Sequence, residues 1–298
     1  MTPDWIGVDW GTSNMRAWAM SADNRALAHA ASDKGMGSLS PDAFEDALIA
    51  VISPWLSDGT TTQIIACGMV GARQGWMEAH YSPTPTVPIA ASMITPPTRD
   101  TRIAVHIVPG VCQASPADVM RGEETQIAGF IAHSSRDGIV CLPGTHSKWV
   151  EIVDGRIVSF YTDMTGELFS LLSTHSVLRH SVTTDGWADG AFAQGVSDGF
   201  AAANPLPYLF GLRASSLLTG LSPETAKARL SGLLIGGELA SRQELWADTK
   251  VSLIGAPRLS GLYAQALAIV GGNAEVLDAD MMTLAGLAAA RAVLEDRI

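Results

Sequence analysis

Two short segments of this 298-residue chain repeat one design. The first reads Trp5-Ile-Gly-Val-Asp-Trp-Gly-Thr-Ser-Asn-Met-Arg-Ala-Trp18, the second Ile139-Val-Cys-Leu-Pro-Gly-Thr-His-Ser-Lys-Trp-Val-Glu-Ile152. Each is an apolar run, a tight turn with Gly-Thr and hydroxyl residues, and a second β-prone run. Gly11-Thr12 and Gly144-Thr145 occupy matching places. One such unit near the start of each half restricts the chain to two related α/β domains, expected to face each other across a cleft. Glycine lets backbone N–H groups approach an anion, and Thr and Ser hydroxyls add donors, so the pair of turns points to a gripped phosphate chain.

The length suffices for two independent cores, and 47% apolar against 16% charged residues describes a globular protein. A net charge of −11 argues against nucleic acid or an anionic membrane as partner. Basic residues in a site for an anion must then be placed locally, which singles out Arg16, Arg73, Arg121 and Lys148. Cys67, Cys112 and Cys141 are odd in number and lack metal spacing, as expected of reduced thiols. No charged-then-apolar leader opens the chain and no apolar run approaches the ~20 residues of a membrane span, so a cytoplasmic protein is expected.

Ile6–Val8, Met15–Met20 and Arg25–Ala31 read as strands. Ser40-Pro41 supplies an N-cap and first-turn proline, after which Phe44, Ala47, Leu48, Val51 and Trp55 share a helical face. Gln63–Cys67 and Arg102–Val108 read as strands around a Pro- and Thr-rich loop, Ser82–Arg99. These observations set one domain at 1–108 and a second at 109–298. The second holds a helix at Glu124–Ala132, the repeated unit, a hairpin turn at Asp154-Gly155 into Arg156–Thr162, and helical sequence from Gly166 to Trp246. Strand Val251–Gly255, helix Leu259–Val270, strand Glu275–Asp278 and helix Met281–Leu294 close it. Neither Gly-x-Gly-x-x-Gly after the first strand nor a Walker-type P-loop occurs, so any ATP site has another geometry.

Five blocks together carry a family resemblance: Asp9-Trp-Gly-Thr-Ser13, Cys67-Gly-Met-Val-Gly-Ala-Arg-Gln-Gly-Trp76, Met120-Arg-Gly-Glu-Glu-Thr-Gln126, Leu142-Pro-Gly-Thr-His-Ser-Lys-Trp149 and Met164-Thr-Gly-Glu-Leu-Phe169. In that order the chain resembles the 2-dehydro-3-deoxygalactonokinases, sugar-acid kinases of the actin/hexokinase/Hsp70-like ATPase superfamily. The resemblance implies two ribonuclease-H-like domains closing on ATP, with an adenosine turn at Gly255-Ala256. It also implies that the final helix, with Ala285, Gly286, Ala288, Ala289 and Ala290, packs back across the domain interface.

Asp9, before the first turn, is placed to hold hydrated Mg²⁺, which prefers one or two carboxylates with waters and phosphate oxygens. Gly11, Thr12, Ser13, Gly144, Thr145 and Ser147 offer donors to phosphate, and His146 either donates to phosphate or holds its loop. A sugar hydroxyl needs a carboxylate to accept its proton. Related kinases use an Asp at a helix start, where this chain has Glu123 and Glu124; Glu124 is narrowly preferred, for its place near the helix start and Gln126. Arg73 and Gln74 are candidates for the acceptor's carboxylate, Trp76 for an apolar sugar face, and Arg16 and Lys148 for phosphate or substrate. Thr165 and Glu167 open a helix and are candidates for substrate hydroxyls. Asp163 has no role legible in the sequence.

The resemblance thus implies an ATP- and Mg²⁺-dependent kinase acting on the 6-hydroxyl of 2-dehydro-3-deoxy-D-galactonate in galactonate catabolism. The alternatives are a kinase for a related 2-keto-3-deoxy sugar acid, such as the gluconate epimer, and a non-catalytic actin-like nucleotide-binding regulator. An isologous homodimer is the default oligomer.

Overall fold

The computed structural model describes residues 2–296. Strands β1 (Trp5–Trp10), β2 (Met15–Met20), β3 (Ala26–Ser32), helix α1 (Phe44–Ile52) and β4 (Thr62–Gly68) begin the chain. Short β5 (Ser82–Pro83), β6 (Ile103–Ile107), β7 (Val111–Ala114), β8 (Ala117–Met120) and α2 (Glu123–His133) follow. The continuation runs β9 (Gly138–Leu142), β10 (Ser147–Val153), β11 (Arg156–Asp163), α3 (Thr165–Thr174), α4 (Arg179–Val182), α5 (Asp189–Ala202), α6 (Leu206–Leu218) and α7 (Pro223–Ser241). It ends α8 (Gln243–Trp246), β12 (Lys250–Ile254), α9 (Pro257–Ile269), β13 (Asn273–Leu277) and α10 (Ala279–Glu295).

Two five-stranded sheets have one and the same strand order, β3-β2-β1-β4-β6 and β11-β10-β9-β12-β13. In the first, β1 is antiparallel to β2 and parallel to β4. In the second, β12 runs parallel to both β9 and β13. This repeated order is the ribonuclease-H-like, actin-like ATPase topology, and the fold class is α/β as the sequence implies.

Alternation along β1 decides what each face meets. Ile6, Val8 and Trp10 turn toward α1, where Phe44, Leu48 and Ile52 are buried with them. Trp5 turns to the other face, packing with Trp18, Ile65, Leu287 and Ala290. Both faces are therefore covered, and β1 reads as a nearly continuous apolar run. Ser40 heads a 3₁₀ turn, Pro41–Ala43, with no side-chain cap, and α1 starts only at Phe44.

The chain divides into two compact units, one of Met1–Asp137, Ile152–Ser159 and Ala279–Ile298, the other of Gly138–Glu151 and Phe160–Asp278. That partition differs from the 1–108 and 109–298 expected. The first unit runs on because α2 packs against α10 within it: Gly286 lies on the Thr125 carbonyl and Gly129 on that of Met282, leaving no room for a Cβ. α10, expected at a domain interface, forms this helix pair within the first unit. The hairpin tip of β10 and β11 joins the same unit because Ile157 bridges Thr86 and Arg156 Nη2 donates to the Pro85 carbonyl at 3.0 Å. In the second unit, Trp149, Phe192, Leu239, Trp246, Leu253 and Leu267 build the core.

Candidate active site

β1 ends in a turn closed by the Gly11 N–H donating to the Asn14 carbonyl at 2.8 Å. Thr12, Ser13 and Asn14 are exposed. Behind the turn, the Met36 N–H donates to the Gly11 carbonyl (3.0 Å) and the Gly37 N–H to that of Thr12 (2.9 Å). Only glycine fits at position 35, whose Cβ would collide with the Thr12 carbonyl. The second unit repeats this device. Glu167 N–H donates to the Thr145 carbonyl at 2.9 Å, and Gly166 presses on the Gly144 carbonyl where no Cβ fits. Thr145 and His146 are exposed.

A trans peptide unit points its C=O and its N–H in opposite directions. Carbonyls of Gly11, Thr12 and Thr145 are drawn back onto the protein, so the N–H groups of Thr12, Ser13 and His146 point away from it. Each exposed Gly-Thr turn thus leaves backbone N–H turned away from these bonds, at Thr12 and Ser13 in the first unit and at His146 in the second, as an anion would require.

Asp9 lies opposite Arg16 in the β1–β2 register, and Arg16 Nη2 donates to Asp9 Oδ2 at 2.6 Å. Arg16 also pairs with Asp280 at the start of α10. Its charge is committed to two carboxylates, against the expectation that it reaches phosphate or substrate. Among the described residues no group of three His, Cys, Asp or Glu side chains could hold a metal ion. Asp9 alone fits Mg²⁺, which accepts a single carboxylate when water and phosphate oxygens complete its shell.

Other candidates on the second turn face inward. Ser147 is buried and its hydroxyl lies 2.8 Å from Tyr263 Oη. Lys148 is 6% exposed and donates from Nζ to Thr162 Oγ1 at 2.6 Å. Both side chains, expected to reach a ligand, bond within the second unit instead. His146 Nε2 lies 2.7 Å from Glu167 Oε2, so the pair holds the loop, and Glu167 is drawn away from the substrate role expected. Thr165 is buried at the first position of α3. Asp163 forms two hydrogen bonds with Arg242, at 2.8 and 3.0 Å.

Glu123 and Glu124 open α2 but differ in access. Glu124 is 0% exposed; its Oε2 accepts from the Gly122 N–H at 2.7 Å and its Oε1 from the Thr125 hydroxyl at 3.3 Å. Burial, and next the charge of Glu123, pushes its carboxyl up to about 8. Glu123 is half-buried, with Oε2 accepting from the Arg121 N–H at 3.0 Å. A sealed carboxyl cannot touch an acceptor hydroxyl, so this geometry favours Glu123 over the Glu124 preferred from sequence.

After β4, the chain places Arg73 and Gln74 on an exposed turn. Trp76, expected to cover a sugar face, is instead stacked on Phe44 at 6.3 Å and edge-on to Trp10 at 6.5 Å. Arg121 braces this loop, donating to the Ala79 carbonyl at 2.7 Å with its guanidinium over Tyr81 at 4.3 Å.

The second unit contains a cavity of about 310 Å³ that reaches from Gly144 to Ala256 and so borders the second glycine turn. Phe169, Trp187 and Leu262 supply its apolar walls, and Lys227, Ser231 and Arg258 its polar ones. Its size suits a nucleoside-sized ligand. Gly255 packs on the Pro143 carbonyl, so the expected adenosine turn and the second glycine turn are neighbours. Apart from Ala256, Gly144 and Thr165, the lining escaped the sequence reading, because it comes from several helices far apart in the chain.

A family profile described as 2-keto-3-deoxy-galactonokinase matches residues 9–290. The chain belongs to this family. A probable 2-dehydro-3-deoxygalactonokinase of Rhizobium meliloti is 41% identical, over 97% of each chain. The 2-dehydro-3-deoxygalactonokinase of Escherichia coli is 34% identical, over 96% of this chain and 97% of its own. A solved structure from Sinorhizobium meliloti, described as a putative 2-dehydro-3-deoxygalactonokinase protein, superposes with a TM-score of 0.88 at 41% identity, covering 96% of this chain and 95% of the other. Solved sugar kinases of much lower identity share the fold. As a 2-keto-3-deoxy-galactonokinase family member, the chain is a sugar kinase acting on a small molecule. No described helix is long and apolar enough to cross a membrane.

Proposed function

We propose that this chain transfers the γ-phosphoryl group of ATP to the 6-hydroxyl of 2-dehydro-3-deoxy-D-galactonate. The observation that carries this reading is the repeated turn. Two sheets of identical order each end a strand in an exposed Gly-Thr turn whose carbonyls are held back by backbone bonds, which by peptide planarity turns the following N–H outward. One such turn borders a nucleoside-sized cavity.

Each unit has its part in the reaction. In the second, Phe169 and Trp187 enclose the adenosine beside Ala256, and the Gly144–His146 turn donates N–H bonds to phosphate oxygens. In the first, Thr12 and Ser13 do the same, and Asp9 would hold Mg²⁺. When bound, Mg²⁺ neutralises charge on the phosphates as transfer proceeds. Glu123 accepts the proton of the sugar hydroxyl at a carboxylate oxygen while that hydroxyl attacks phosphorus and ADP leaves. The Arg121 N–H bond to Glu123 orients the carboxylate. Arg73, exposed and forked, is suited to the acid's carboxylate.

Free thiols at Cys67, Cys112 and Cys141 support a reducing compartment such as the cytoplasm. A homodimer is the proposed oligomer, and sedimentation measures it directly.

A coupled ADP-release assay with a panel of sugar acids tests the activity. Turnover with the galactonate derivative and not its gluconate epimer supports the reading. Preference for the epimer moves the substrate, and nucleotide binding without turnover on any acid overturns the kinase.

A further inference from the structure

Beneath the second glycine turn lies a buried carboxylate that the reaction above does not use. Glu238, in the last turn of α7, is 5% exposed. Trp149 Nε1 donates to its Oε1 at 2.8 Å and Tyr263 Oη to its Oε2 at 2.7 Å. Thr165 also hydrogen-bonds the carboxylate. An ionised carboxylate only accepts, so the Tyr263 hydroxyl proton is committed to Glu238. The oxygen of Tyr263 is then left to accept from Ser147, 2.8 Å away. The direction of every bond in the chain Ser147–Tyr263–Glu238 follows from the one charge.

Each group at the end of this network belongs to an element that borders the turn. Ser147 opens β10 directly after the turn residues Gly144–His146. Thr165 opens α3, whose Glu167 N–H holds the Thr145 carbonyl. Tyr263 on α9 lines the cavity. We propose that Glu238 is a positioning residue for the nucleotide: by orienting Ser147, Thr165 and Tyr263 it presets the Gly144–His146 turn, so that the N–H groups are already aimed when phosphate arrives. This inference rests on the nucleotide reading of the second unit. A preset donor set binds an anion more tightly because less ordering is left for the binding step.

A carboxylate that merely fills the core would not carry this directionality, and the difference can be measured. Glu238→Gln keeps the volume and one acceptor but turns an N–H toward Tyr263, whose hydroxyl must then point at Ser147. The ionisable groups around it are Asp163 on β11, itself held by Arg242, Cys141 on β9 and Tyr263 on α9. Burial, then the charge of Asp163, raises the Glu238 carboxyl to about 7.

The experiment is calorimetric binding of a non-hydrolysable ATP analogue with Mg²⁺ to wild type, Glu238→Gln, Ser147→Ala and the double variant. At pH 8, Glu238→Gln should weaken binding about five- to twentyfold while the KM for the sugar acid stays within about twofold. Because both changes break one chain, the double variant should bind no worse than the weaker single. Between pH 8 and 6 the wild type should lose its advantage over Glu238→Gln as Glu238 takes up a proton. Tyr263→Phe, which cuts the chain while keeping the ring, carries the same expectation if Glu238→Gln does not fold. Unchanged affinity in the folded variants, or losses that simply multiply, overturns the positioning role. A wild type that binds no nucleotide instead overturns the kinase reading from which this one starts.

Discussion

Arg16 Nη2 sits 2.6 Å from Asp9 Oδ2, directly across the β1–β2 ladder. The pair neutralises the carboxylate proposed for Mg²⁺ until phosphate arrives, and it fixes one of the two oxygens of Asp9. Asp9→Asn should therefore lower turnover about 100-fold or more, with activity shifted to higher Mg²⁺. The pair is about a quarter to a third exposed, so its own stabilisation is only about 1 kcal/mol after screening and the variant should still fold. Magnesium titration of the steady-state rate checks this, and unchanged turnover would remove Asp9 from the metal.

The two glutamates of α2 separate by kinetics. Glu123→Gln should lower kcat about 10²- to 10⁴-fold with the KM for ATP within twofold. Glu124→Gln should change kcat by less than about fivefold, since Gln can keep the Gly122 bond. A larger kcat loss in Glu124→Gln than in Glu123→Gln would return the base to Glu124.

Stability should depend on pH through the two buried carboxyls. Glu124, raised to about 8, and Glu238, raised to about 7, both lie above their ordinary range. Between the unfolded value and these, the folded chain keeps protons that the unfolded chain has released. Their contribution is full below about pH 4.5 and is lost as pH rises through 7 and 8. Glu124→Gln removes one of these titrations, so its Tm should match wild type near pH 5 and exceed it by about 3 °C or more at pH 8.5. Parallel melting curves at the two pH values would contradict the shift.

Arg73 is exposed beside the loop that Arg121 braces. Arg73→Ala should raise the KM of the sugar acid about tenfold and leave that of ATP unchanged. A neutral acceptor sugar should be indifferent to the change, and an unaltered acid KM would dismiss Arg73.

Trp187 walls the cavity and carries Arg258 at 5.7 Å over its ring. Trp187→Ala should raise the KM for ATP about tenfold while the acceptor KM holds. Loss of nucleotide-dependent fluorescence quenching in the variant provides a second readout.

The sheets were legible because β1, β2, β9 and β12 are apolar runs bounded by turn residues. The β7–β8 hairpin was not, since Ala-Ser-Pro-Ala-Asp gives little alternation to read. At the turns, spacing located Gly11-Thr12 and Gly144-Thr145, but it could not say which way Ser147 and Lys148 face. Their directions depend on Tyr263, from α9, and on Thr162, from the neighbouring strand. Glu123 and Glu124 are adjacent on a helix, and which of them is sealed depends on the packing around α2. His146 with Glu167, and Trp149 with Glu238, are pairs distant in sequence that only folding brings together. The cavity lining was hidden for the same reason.

The first unit takes its final helix from the far end of the chain, after the whole stretch Phe160–Asp278 has gone to the other unit. During vectorial synthesis, α2 must therefore wait for Ala279–Glu295 before its glycine-lined contact can form. The unit begun earlier is finished only after the other has been made, and a chain that stopped before Ala279 would leave α2 without its helix partner.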